Sequence, residues 1–226
     1  MSKKIYLSPS NQDGNQYAYG NTNECCQCNR IAQAAETALK RCGFTVKRAP
    51  QGQIMSTSIA ESNRWGANLH IPIHTNAGGG NGTIVFVYSK GSNNMKLAAP
   101  IYNAVQAVTP GKIDYGVREY PKLAELNSTN AIAVYIEVDF HDNKEIAKWI
   151  INNPTTIGEA IAKGVCSGYG VKYIAPSNQS SSKPTSSKTI YRVQVGAFSD
   201  KKNAENYLAK IKKAGFTDAF ITEVKK

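Results

Sequence analysis

Two side chains stand where this chain can do chemistry. His74 closes the apolar run from Leu69 to His74, and Glu137 closes the apolar run from Ile132 to Glu137. Both runs read as short strands. A parallel sheet gathers its chemistry where strands end, so this pattern delivers an imidazole and a carboxylate to one sheet edge. Those two groups are the raw material of zinc-assisted hydrolysis.

A catalytic zinc site wants three protein ligands and one open position. The chain has three histidines, His70, His74 and His141. His70 lies on the same strand face as His74, but about 13 Å of strand separates them. It therefore reads as structural. Glu24 is the one carboxylate between Asp13 and Glu36. Its charge suits the start of the helix that follows; a ligand role is the alternative. Glu137 ends an otherwise apolar strand. A lone buried carboxylate must be paired, protonated or turned on a metal site, and near an ion it makes a general base. The loop from Val138 to Asn143 brings His141 back to the same edge, and Asp142 reads as the cap of the helix that opens there.

The elements that must position these groups alternate. Strands are expected over 5–7, 45–47, 69–74, 83–88 and 131–136, and helices over 29–42, 58–65, 97–108, 146–151 and 157–165. Along the third strand Leu69, Ile71 and Ile73 point one way, and His70, Pro72 and His74 the other. This alternation predicts an α/β fold: a twisted, largely parallel sheet with helices on both faces. Residues 174–188 hold almost nothing apolar and read as a flexible linker. They divide a block at 1–173 from a small one at 189–226. The small block reads as one β-α-β unit: a strand over 190–195, a helix capped by Ser199 and stopped by Gly215, and a strand over 219–224. Such a unit is below the size that usually folds alone.

Composition narrows the partners. Lys and Arg number 27 against 16 Asp and Glu, a net charge of +11. Such a surface attracts polyanions; no motif favours nucleic acid, and no apolar run approaches a membrane span. The first residues run straight into a strand without the apolar core of a secretory signal. The expectation is synthesis in the cytoplasm and action elsewhere after release. Five cysteines, three of them nearly adjacent at Cys25, Cys26 and Cys28, read as reduced thiols. A thiolate metal site is the alternative.

Four pieces, in order, resemble one family. They are Tyr6 to Ser10, Glu24 ahead of the first long helix, Leu69 to Ala77, and Val134 to Phe140. Together they are similar to the zinc-dependent N-acetylmuramoyl-L-alanine amidases of sporulation, division and phage lysis, and the likeness spans roughly 4–170. The resemblance implies peptidoglycan as substrate. It implies cleavage of the amide between N-acetylmuramic acid and L-alanine of the stem peptide, by water activated on one Zn2+ ion. It implies His74 and Glu24 as zinc ligands and Glu137 as the catalytic glutamate. Either a phage lysis enzyme or a spore-former autolysin fits.

One departure matters. The family's Gly-His after the first strand, the source of the first zinc ligand, is replaced by the stretch from Ser8 to Gln12. His141 is the expected substitute, because imidazole suits zinc. Gln12 or Asn11 could instead supply an amide oxygen, a poorer donor to zinc. Without zinc the block would be a non-catalytic peptidoglycan-binding protein.

The stretch from Tyr191 to Ser199, with the helix from Asn203 to Ile211, resembles the opening of a SPOR domain. That likeness implies binding to glycan strands. A complete domain has two β-α-β halves, so pairing of two chains into one sheet, a homodimer, is the expectation.

Overall fold

Apolar alternation writes the centre of the sheet. In β1 (Lys4–Pro9) and β3 (Leu69–Asn76), Ile5, Leu7, Ile71 and Ile73 are fully buried in one continuous core. Tyr6, Ser8, His70 and His74, the alternate residues, leave by the other face. β1 pairs in parallel with β2 (Thr45–Arg48) and with β3. β3 pairs in parallel with the short β6 (Ile132–Ala133) and then with β7 (Tyr135–Phe140). β4 (Ile84–Val87) runs antiparallel to β7, and β5 (Val117–Glu119) parallel to β4. The strand order is β2-β1-β3-β7-β4-β5, with β6 beside β3.

The computed structural model describes residues 2–176, 195–216 and 219–222. Contacts divide the chain into Met1–Asn178 and Gln179–Lys226. In the first unit α1 (Glu24–Arg41), α3 (Ser92–Gln106) and α6 (Pro154–Tyr169) cover the core face. Small residues let them approach closely. A Cβ on Gly158 would lie 2.5 Å from the backbone nitrogen of Ala35 on α1. A Cβ on Gly164 would lie 2.4 Å from Cα of Ile101 on α3. α6 therefore wedges between its neighbours through two glycine notches, and side chains there would force them apart. α2 (Met55–Trp65) packs against β1 and the short α4 (Ala124–Asn127) against β6. Leu126, Ala133 and Tyr135 form a second, smaller cluster. α5 (Lys144–Asn152) joins β7 to α6. The expected α/β sheet with helices on both faces is what the chain forms.

Several boundaries differ from the sequence reading, each for a local reason. α1 begins at Glu24, five residues early, because the Asn23 side chain accepts from the Cys26 N–H and caps it. The strand carrying Glu137 runs on to Phe140, so Glu137 lies inside it rather than at its end. Asp142 is not the cap of α5. Asn143 is, accepting from Glu145 and Ile146, while Asp142 accepts from the N–H groups of Gly78 and Gly79. β5 and α4 went unseen, being only three and four residues long.

All five cysteines are free thiols, as read from their spacing. Cys25, Cys28, Cys42 and Cys166 are buried; Cys26 is partly exposed. Burial pushes the Cys25 and Cys28 thiols up, and that of Cys166 up to about 12.

In the second unit the described helix is α7 (Lys201–Lys213), capped by Asp200 accepting from Asn203 N–H. Ser199 does not cap it. Of the expected linker over 174–188 only 174–176 are described, and of the expected strand over 190–195 only Val195; the rest lie outside the described residues. The last two residues of the expected strand over 219–224 lie outside as well, and its described part, 219–222, has no regular structure.

Candidate active site

β3 and β7 meet in parallel with His74 opposite Glu137, so both side chains leave the sheet on one face. Glu24, in the first turn of α1, reaches the same place. Its Oε1 lies 2.8 Å from Nδ1 of His74. Glu24 and His74 are buried and Glu137 partly so, with its Oε2 shut off from solvent, and Tyr135 stacks on the His74 ring with centroids 4.5 Å apart.

The loop after β1 completes this corner. Its backbone carbonyls cap α1: Cys25 N–H donates to Gln12 and Glu24 N–H donates to Asn15. That docking fixes two amide side chains. Asn15 Nδ2 bridges Gln12 Oε1 at 2.8 Å and Glu24 Oε2 at 2.7 Å. Gln12 Nε2 lies 3.3 Å from His74 Nδ1. The Asn11 side chain makes no hydrogen bond to His74 or Glu24, although the residue borders the same cleft.

A second carboxylate stands on the far side of His74. Glu125, on α4, has Oε2 3.9 Å from His74 Nε2. Its Oε1 accepts from Ser8 Oγ at 2.5 Å and from His70 Nε2 at 3.1 Å. His70 is fully buried and stacked on Tyr6. It has the structural role read from its spacing, and it also orients a carboxylate beside the site.

The titrations follow from this crowding. Burial pushes the Glu137 carboxyl up to about 7; the His74 charge pulls it down and Glu24 pushes it further up. Its Oε2 has no hydrogen-bond partner among the described residues. Burial alone would lower His74, but the Glu24 hydrogen bond and the charges of Glu137, Glu24 and Glu125 outweigh it and raise the imidazole. Burial would raise Glu24, and the His74 hydrogen bond and charge, with Asn15 and Ser10, outweigh it and lower the carboxyl.

His141 is engaged elsewhere. Its Nδ1 lies 3.0 Å from both the carbonyl and the hydroxyl oxygen of Thr75, and its ring stacks on Tyr17. Among the described residues no three His, Cys, Asp or Glu side chains converge tightly enough to hold one ion. Glu24, His74 and Glu137 are thus gathered as the sequence suggested, and His141 is not brought to them. Glu125 and Asn15 were missed. Nothing local marks either: Glu125 meets Ser8 across 117 residues of chain.

The pair Glu24 and His74 fits a divalent cation: an anionic oxygen and an imidazole nitrogen face one another, buried, with the orphaned Glu137 oxygen on the neighbouring strand. The cleft beside them is lined by His74, Tyr135, Glu125, Leu123, Ile54 and Met55. It offers an apolar wall facing a polar floor.

Comparison with known proteins agrees with this geometry. A family model described as N-acetylmuramoyl-L-alanine amidase matches residues 10–167, and one described as SPOR domain matches residues 178–226. A sporulation-specific N-acetylmuramoyl-L-alanine amidase of Bacillus subtilis (strain 168) is 28% identical over 159 residues, covering 69% of this chain and 57% of that protein. The chain thus spans somewhat more than half the length of the curated relatives it matches. Among solved structures, the catalytic domain of the CD27L endolysin targeting Clostridia difficile superposes with a TM-score of 0.60 at 26% identity, covering 72% of this chain and 96% of that one. The catalytic domain of CwlV from Bacillus (Paenibacillus) polymyxa gives 0.68 at 19% identity, covering 75% and 99%, a likeness of fold.

Proposed function

Because the chain belongs to the N-acetylmuramoyl-L-alanine amidase family, we propose that it hydrolyses the amide joining the lactyl group of N-acetylmuramic acid to L-alanine of the peptidoglycan stem peptide. The observation that carries this reading is the cross-strand pair of His74 and Glu137 beside Glu24. Glu24 and His74 would hold one zinc ion. That ion supplies Lewis acidity toward a carbonyl oxygen and toward water.

The chain's own groups do the rest. Glu137, held near neutrality at about 7, takes a proton from the attacking water as its oxygen bonds to the lactyl carbonyl carbon. As the carbon–nitrogen bond breaks, the same carboxyl returns that proton to the departing alanine amine. The products are a free lactyl carboxylate and a free peptide N-terminus. Glu24 Oε1 faces Nδ1 of His74, so the two would meet the ion from opposite sides. Tyr135 covers the ring and helps keep bulk water off it. The basic surface, +11 overall, suits an anionic cell wall as the place of action.

Digestion of purified sacculi tests the reading. New N-terminal alanine should appear without new reducing sugars. If sacculi bind the zinc-loaded protein and no amino groups are released, it is a non-catalytic wall binder.

The C-terminal unit is proposed to hold glycan strands, on the strength of its SPOR match. α7 carries Ala204, Tyr207, Leu208 and Ile211 yet buries none of its residues among those described. Two chains pairing their units would cover that stripe. Sedimentation of the full chain should then give a dimer. A monomer at micromolar concentration rules the pairing out.

A further inference from the structure

The contacts around His74 Nδ1 cannot all be satisfied by protons. Glu24 Oε1 lies 2.8 Å from that nitrogen and Gln12 Nε2 lies 3.3 Å from it. If Nδ1 carries a proton, it donates to Glu24 and meets the Gln12 amide hydrogens head-on. If it is bare, it accepts from Gln12 and sets its lone pair against the Glu24 oxygen. A buried cluster with such a conflict is costly. One change removes it. An amide group has nearly the same outline either way round. Turning Gln12 gives up the bond its Oε1 accepts from Asn15 Nδ2 and presents that oxygen to His74 instead, and the three groups become three acceptors facing one point. A cation at that point satisfies them together.

We propose that Gln12 supplies the third protein donor to the ion, as an amide oxygen, in the place where an imidazole was to be sought. The inference rests on the proposed function for the presence of an ion and adds the identity of its ligand. Three further observations point the same way. The Gln12 main chain is tied to α1 through its carbonyl and to Ser10 Oγ through its N–H, so the side chain is aimed rather than loose. Asn15 Nδ2 donates to Glu24 Oε2 and so keeps that carboxylate in place when Gln12 turns. His141 spends Nδ1 on the carbonyl or hydroxyl oxygen of Thr75 and its ring face on Tyr17. The donor set is then one nitrogen and two oxygens. It is harder than a set with two imidazoles, so it holds zinc less tightly and discriminates less against manganese.

The test is zinc binding to the full chain by titration calorimetry, read beside the Gln12→Ala, Gln12→His and His141→Gln variants. Melting in chelator checks that each variant folds. Gln12→Ala should weaken zinc binding at least tenfold, and Gln12→His should restore or exceed the parent affinity. With cobalt as probe, Gln12→His should shift the visible absorption band, because a nitrogen replaces an oxygen at the ion. A loss under tenfold in Gln12→Ala overturns the inference, and so does failure of Gln12→His to recover the affinity. A tenfold loss in His141→Gln with Gln12→Ala unaffected would move the third ligand to His141. Release of alanine N-termini is scored separately, so the amidase reading can stand while the ligand assignment fails.

Discussion

Glu137→Gln is expected to lower amide hydrolysis about a thousandfold and to make the metal-free chain more stable at pH 8. Both effects come from one buried carboxyl. Its folded pKa of about 7 stands above the ordinary 4.5. A carboxyl raised on folding leaves the fold most stable below pH 4.5, and that stability is lost as pH rises through about 7. A rise of this size corresponds to roughly 3 kcal/mol at pH 8. Glutamine keeps the shape and never ionises, so between pH 5 and 8 the variant's denaturation midpoint in chelator should fall less steeply than the parent's, the remaining slope being that of His74. Loss of activity without this flattening would mean that Glu137 is not the buried, raised carboxyl described.

His74→Ala should have the second-largest effect, with the opposite dependence on pH. His74 is the cation among Glu24, Glu125 and Glu137. Breaking a buried ion pair from one side costs about 3–5 kcal/mol. The imidazole is raised above its ordinary 6.5. Its contribution is fully present below pH 6.5 and disappears as pH climbs through the folded value. Urea denaturation in chelator should therefore show the largest deficit near pH 5.5 and a smaller one at pH 9. Added zinc should shift the parent's melting upward and leave the variant's unmoved. A zinc-dependent shift that survives in His74→Ala would remove this residue from the ion's shell.

The fold was legible where one strand face is wholly apolar. Ile5, Leu7, Ile71 and Ile73 announce the core, and the intervening His70 and His74 announce the opposite face. The pairing of His74 with Glu137 could be anticipated because both follow strand-forming runs. What sequence could not carry was registration over distance. α4 is four residues long, too short for any periodicity, yet it delivers Glu125 to His74. The strand of Glu137 ran on because Val138 and Phe140 are as apolar as what precedes them, and a carboxylate in their midst read as a terminus. His141 drew attention as an imidazole without a partner. Its partners are the carbonyl and hydroxyl oxygens of Thr75, brought to it across 66 positions of chain. Gln12 lies in a stretch of polar residues that differ only in how their backbone docks on α1.

The distribution of sulfur has a practical corollary. Cys26 is the one thiol of five that is not buried, and it sits two residues from Glu24 with the Gln51 amide against its sulfur. A maleimide dye added to the native chain would therefore attach at a single place, within one helical turn of Glu24, the carboxylate proposed to hold the ion. Fluorescence from that dye offers an optical gauge of occupancy that needs neither substrate nor mutagenesis.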